Sequence, residues 1–246
     1  MHPSEEGPRP AFYALRGGGW RDYVTLLHVP YTVWHLSYVA LGWAVTPGSH
    51  ETRLAGALVA FALAVGIGAH ALDELNGRPL RTGIPSPVLG ASAAVSIGVA
   101  CAIGVVGAAT YSWWLVAFVV VGGFVVCAYN LEWFGGRFHT DVWFALSWGA
   151  FPALTAGFAN AKRLTWALIL VAGACYALSR AQRTLSTEVR LLRRSTRRVE
   201  GTLERTDGST EGIDAVRLRA APEAALRWMS IAMPLIAAGA VLARIR

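Results

Sequence analysis

The chain has 246 residues, of which 54% are hydrophobic and 15% charged, and its mean hydropathy is +0.44. Ordinary water-soluble domains are less apolar and more charged, so composition excludes that class. The net charge of +7 sits largely in an arginine-rich region from Arg180 to Arg219; in a membrane protein such a region marks the cytoplasmic side and anionic lipid, and no nucleic-acid partner is expected.

Residues 1–22 are polar and contain GPRP and RGGG, so they read as a flexible cytoplasmic N-terminus. The first apolar run begins only after Arg21, which does not fit a cleavable signal peptide. Trp20–Tyr23 reads as a short interfacial lead. The first span is expected over about Val24 to Val45, where His28 and His35 lie on one face with Tyr31 and Tyr38. After the turn Thr46–Arg53 comes a second span, about Leu54 to Leu72. The third, about Pro87 to Ala109, is rich in Ala, Gly and Ser, which allows close helix approach. It forms a tight hairpin with the fourth, about Tyr111 to Leu131. A polar Gly-containing loop, Trp133–Asp141, leads to the fifth, about Val142 to Ala159. The turn Asn160–Arg163 precedes the sixth, about Leu164 to Leu178, which can continue as helix into water. TDGSTEG is a connector, and the seventh span is about Ala224 to Ala243.

The segments are long and apolar rather than short and alternating, so the predicted fold is all-α: a polytopic transmembrane bundle of about seven helices. It forms one domain over 23–246, with a basic cytoplasmic loop at 181–221. Cys101, Cys127 and Cys175 lie inside apolar segments and read as small core residues. Arginine counting puts the N-terminus and the loops after spans two, four and six in the cytoplasm, and the C-terminus on the opposite side of the cell membrane.

The densest chemistry is His70–Pro85, HALDELNGRPLRTGIP, where Asp73, Glu74, Asn76, Arg78 and Arg81 crowd against the end of span two. Ionisable groups at the mouth of a membrane helix invite a functional reading. The three cytoplasmic loops bring candidate carboxylates (Asp73, Glu74), amides (Asn76, Gln182) and arginines (Arg78, Arg81, Arg137, Arg183) to one face above an apolar interior. This profile suits a ligand with an anionic head and a hydrocarbon tail. Arginine forks match phosphate oxygens, and paired carboxylates can hold Mg²⁺.

The arrangement resembles the UbiA superfamily of intramembrane prenyltransferases. Ala69–Gly77, AHALDELNG, stands where that family carries its first Asp-rich motif, with Asp73 at the central aspartate. Arg81-Thr-Gly-Ile-Pro85-Ser86 resembles the run that follows it. Tyr129, Arg137, Gly149-Ala-Phe-Pro152 and Gly157 match the order of the family's middle region. The second Asp-rich motif is missing: Leu178–Arg190 has no aspartate, and Gln182 and Glu188 are its nearest substitutes. The resemblance implies a Mg²⁺-prenyl diphosphate held by Asp73 and Glu74 as catalytic and metal residues. His70, Asn76, Arg78, Arg81, Tyr129, Arg137, Gln182 and Arg183 would bind substrate, and the partners would be the lipid bilayer, an isoprenoid diphosphate and a hydrophobic acceptor. Cyclisation of an isoprenoid is a related outcome. The missing motif leaves an alternative: a catalytically degenerate relative that binds lipid or a protein partner through the 181–221 loop.

Overall fold

The computed structural model describes residues 9–245. The protein is mostly helical, 74% by residue. The elements run α1 Trp20–Leu26, α2 Val29–Ala44, α3 Glu51–Leu75, α4 Ser86–Thr110, α5 Leu115–Asn130, α6 Asp141–Ala161, α7 Trp166–Arg190, β1 Gly201–Glu204, β2 Thr210–Ile213 and α8 Ala215–Ile245. Four of these helices, α3, α4, α6 and α8, are long and apolar enough to cross a membrane; α5 is apolar but shorter. The structure is compatible with an all-α membrane bundle.

Local chemistry sets the helix ends. Pro30 enters the first turn of α2, where its missing N–H costs nothing. The residue at the corner before it, His28, is left-handed with φ 45°. Pro87 plays the same part at the start of α4. Thr140 and Thr165 cap α6 and α7, accepting from the backbone N–H of Trp143 and Leu168 at 3.3 and 3.2 Å. Two helices widen to π geometry midway, α3 over Ala62–Ala69 and α6 over Ala145–Ala150. Such bulges often mark functional positions in membrane and soluble helices alike.

Helix α2 packs against α6 and α8 at the centre of the bundle, and its Trp34, Tyr38, Val39 and Trp43 are fully buried. Lipid is as apolar as these side chains, so close van der Waals fit and hydrogen bonds must hold the helices together. The fit is tightest at Gly42, where a Cβ would lie 2.1 Å from the Ala153 carbonyl oxygen, and at Gly157, where it would lie 2.8 Å from the Gly42 carbonyl. At the end of the bundle away from the polar loops, Asn160 clamps the turn after α2. Its amide donates to Thr46 Oγ1 at 3.0 Å and the Gly48 carbonyl at 2.9 Å, and its Oδ1 accepts from His50 N at 3.3 Å.

Two expectations change. Residues 1–8 lie outside the described residues, but from Arg9 onward the N-terminal segment is packed rather than flexible: Ala11, Ala14 and Asp22 are buried. Its backbone oxygens supply the reason, since Arg193 and Arg194 donate to the carbonyls of Arg9 and Pro10. The 181–221 region is also ordered, and it carries the one departure from an all-α chain among the described residues. The antiparallel hairpin β1–β2 pairs Gly201 with Ile213 and Glu204 with Thr210. Its turn is built by Gly208 at φ 80° and by Asp207, whose carboxylate accepts from Ser209 N at 2.9 Å.

Candidate functional site

A polar cavity of about 360 Å³ opens where α2, the end of α3, α6 and the second half of α7 meet, below the strap of residues 10–13. A second cavity, about 230 Å³ and lined almost wholly by apolar side chains, lies among α3, α4, α5 and α6. The two share Val65 and Trp148 as a common wall. Val65 belongs to the π segment of α3 and Trp148 to that of α6, so both bulges fall at this junction.

Of the residues expected from sequence, Asp73, His70, Asn76, Tyr129, Gln182 and Arg183 line the polar cavity. Arg183 is already paired with Asp141 at 2.9 Å and lies over the Phe144 ring. Asn76 donates to the Asn130 carbonyl at 3.1 Å and so ties the end of α3 to the end of α5.

Four expected residues do not line it. Glu74 is fully buried on the other side of α3. Its Oε2 accepts from Leu80 N at 2.9 Å, and its Oε1 accepts from Thr82 N and Thr82 Oγ1 at 2.8 and 2.9 Å. It closes the Gly77–Ile84 loop. Arg78 is spent on the same loop, donating to the carbonyls of Thr82 and Ile84 and to Ser86 Oγ at 3.1, 2.6 and 2.7 Å. Arg81 and Arg137 are exposed to solvent. Glu74 lies about 100° round the helix from Asp73, and here that step turns it from the cavity to the Gly77–Ile84 loop.

The resemblance implies Mg²⁺ held by carboxylates at this site. Glu74 has both oxygens filled by N–H and O–H donors, and Asp141 is paired with Arg183. Among the described residues no group of three or more His, Cys, Asp or Glu side chains is placed to hold a metal ion. With Glu74 turned to the loop, Asp73 and Glu74 do not present a shared carboxylate pair to Mg²⁺.

The structure adds residues beyond the expected substrate-binding set. Tyr13, His28, Tyr31, His35 and His139 line the cavity, and so do Arg190 and Arg194. Tyr13 hydrogen-bonds His28 Nδ1 at 3.1 Å, and the His28 ring stacks on His70 with centroids 4.1 Å apart. His139 stacks on Tyr129 at 4.5 Å. Burial pushes the Tyr13 phenol up, with Tyr31 adding to it, so its hydroxyl stays protonated. Burial is also the main cause that holds the Arg190 guanidinium below its ordinary value, and the crowding of Arg183 and Arg194 adds to it. Guanidiniums pressed together in this way are relieved by an anion. The His28 and His35 face of span one was legible in the sequence as a polar-aromatic stripe. The Arg190–Arg194 pair carried no motif.

No family model, curated protein or solved structure matches this chain in sequence or fold comparisons.

Proposed function

We propose that the chain is a multi-pass membrane protein that binds a prenyl diphosphate at the cytoplasmic mouth of its helical bundle, and that it acts as a UbiA-like prenyltransferase or related isoprenoid-processing enzyme. The supporting observation is the pairing of a polar, arginine-bearing cavity with an apolar one across the Val65–Trp148 wall. The diphosphate lies against Arg190 and Arg194, and the hydrocarbon chain passes the wall into the apolar cavity among α3–α6. Arginines meet the phosphate charge without a metal in this reading. The bilayer is the surrounding partner, the N-terminus faces the cytoplasm, and the C-terminus of α8 faces the other side.

Binding of geranyl diphosphate to the purified protein in lipid nanodiscs tests it. Binding in the absence of Mg²⁺ that weakens at least tenfold in Arg190→Ala/Arg194→Ala and survives Glu74→Asp supports the reading. Equal binding by wild type and the double-arginine variant sinks it.

One observation favours a second reading, a lipid-binding protein without turnover: among the described residues no three His, Cys, Asp or Glu side chains are placed to hold a metal ion. Tight binding with no release of diphosphate identifies that case.

A further inference from the structure

Among the described residues, five buried polar side-chain atoms have no hydrogen-bond partner: His28 Nε2, both ring nitrogens of His35, Tyr129 Oη and Gln182 Oε1. All five belong to residues that line the polar cavity. His35, Tyr129 and Gln182 are only 5%, 4% and 3% exposed. Leaving one such atom unpaired costs about 1–3 kcal/mol, and here the five are gathered at one cavity rather than spread through the chain. His35 and Gln182 lie beside each other on this wall, and a ligand that brings both donors and acceptors would complement the group.

The wall also fixes the ligand's charge. Arg183, next to Gln182, is paired with Asp141, and Arg194 donates its Nε to the Pro10 carbonyl. His28 stacks on His70 and His35 lies near it; Tyr13, Tyr31, Asp73, Glu132, His139, Arg183, Arg190 and Arg194 are the other titratable or charged groups lining the same cavity. None of the unpaired atoms is a cation donor suited to a carboxylate. A neutral hydroxyl, which both donates and accepts, matches imidazole nitrogens, a phenol and an amide oxygen.

One ring on this wall has its tautomer set by geometry. His70 Nδ1 lies 3.2 Å from the Gly66 carbonyl, one turn back in the π segment. A carbonyl only accepts, so in the neutral ring Nδ1 carries the hydrogen and Nε2 carries the lone pair. A second-ring partner, His28, stacks on it, and Asp73 lies three residues on, lining the same cavity.

We propose that the inner wall of the cavity is a subsite for an uncharged, hydroxyl-bearing second reactant, and that His70 Nε2 is the base that takes its proton. This rests on the prenyl diphosphate reading above. The C1–O bond of the prenyl diphosphate breaks, and its electron pair leaves with the diphosphate beside Arg190 and Arg194. A lone pair of the hydroxyl oxygen forms the new C–O bond. The hydroxyl proton passes to His70 Nε2, and Asp73 steadies the resulting imidazolium.

The test uses the full chain in nanodiscs with geranyl diphosphate and, as matched probes, phenol or benzoate. Diphosphate binding is read by titration calorimetry and products by mass spectrometry. The wild type is expected to form geranyl phenyl ether and no geranyl benzoate. His70→Asn keeps a donor toward Gly66 but has no basic nitrogen. It should bind geranyl diphosphate within threefold of wild type, lose ether formation at least 100-fold, and lose the acid limb of the rate–pH profile. His35→Phe and Gln182→Leu should raise the phenol KM at least fivefold with diphosphate binding intact. Ether formation by His70→Asn within threefold of wild type overturns the base assignment, and use of benzoate as readily as phenol overturns the uncharged subsite. Wild-type binding of the diphosphate without product overturns the proposal while leaving the binding reading standing. Failure to bind the diphosphate at all overturns both.

Discussion

Glu74→Gln separates a loop anchor from a metal ligand. In the wild type one carboxylate accepts three hydrogen bonds from the Leu80 and Thr82 segment, all at 2.8–2.9 Å and all buried. Glutamine retains one oxygen, which keeps the two Thr82 contacts at neutral strength. Its NH₂ replaces Oε2 and meets the Leu80 N–H donor to donor. One charge-assisted bond is lost, about 1.5–3 kcal/mol, and two are weakened by roughly half. The sum is about 3–5 kcal/mol, which for a chain of this size corresponds to a fall in Tm of roughly 10 °C. The ten tryptophans of the chain give a fluorescence readout of unfolding in nanodiscs. Geranyl diphosphate binding extrapolated to the folded fraction should change by less than threefold, with or without Mg²⁺. An unchanged Tm accompanied by loss of Mg²⁺-dependent binding would refute the anchor argument and return Glu74 to a metal-binding role.

Gly42→Ala places a methyl group against the Ala153 carbonyl and should cost about 3 kcal/mol, the upper end of overpacking. Gly90→Ala, with open space around it, should be neutral or stabilising by up to about 1 kcal/mol in the same thermal assay. Asn160→Ala leaves His50 N without its acceptor and removes the amide donor from Thr46 Oγ1 and the Gly48 carbonyl; it should destabilise by about 2 kcal/mol, with new protease cleavage between residues 46 and 50. The Glu211 carboxylate is held below its ordinary value by hydrogen bonds from Arg217 and Arg205. A depressed acid contributes above its unfolded pKa and loses that contribution as pH falls through the folded one. The β1–β2 hairpin should therefore hold at neutral pH and loosen in acid below the usual glutamate range. The Arg217 Nε–H resonance should broaden there, and an unchanged line at pH 3 would count against the ion cluster.

The membrane-helix character was legible in the sequence because hydropathy is a local property. Runs such as Leu54–Ala69 and Pro87–Ala109 exclude water whatever their neighbours do, and α3 and α4 are among the four helices long and apolar enough to span. The focal stretch was also legible as a place where polar groups crowd, and His70, Asp73 and Asn76 from it line one cavity with Tyr129, Gln182 and Arg183 from later in the chain. Which way each group points was not. Asp73 and Glu74 are neighbours in sequence, yet one faces the cavity and the other closes a loop. Arg78 and Arg81 sit in a loop whose left-handed residues, with φ 52° and 56°, turn the chain away from the cavity.

The sequence by itself determined an apolar, helix-rich chain with a basic face, since composition and period need no partner to act. The tertiary structure alone decided the site. Arg190 and Arg194 enter it because α7 continues past its apolar half and is prolonged by the π-helical turn Leu191–Ser195 to the mouth of the cavity. Tyr13 enters because Arg193 and Arg194 hold the carbonyls of Arg9 and Pro10, each 184 residues away in sequence, and so draw the strap over the cavity. Asp22 holds the focal loop in place through a hydrogen bond to Gly83 N across 61 residues. These contacts join segments far apart in the chain, and their energy exists only once the helices have packed.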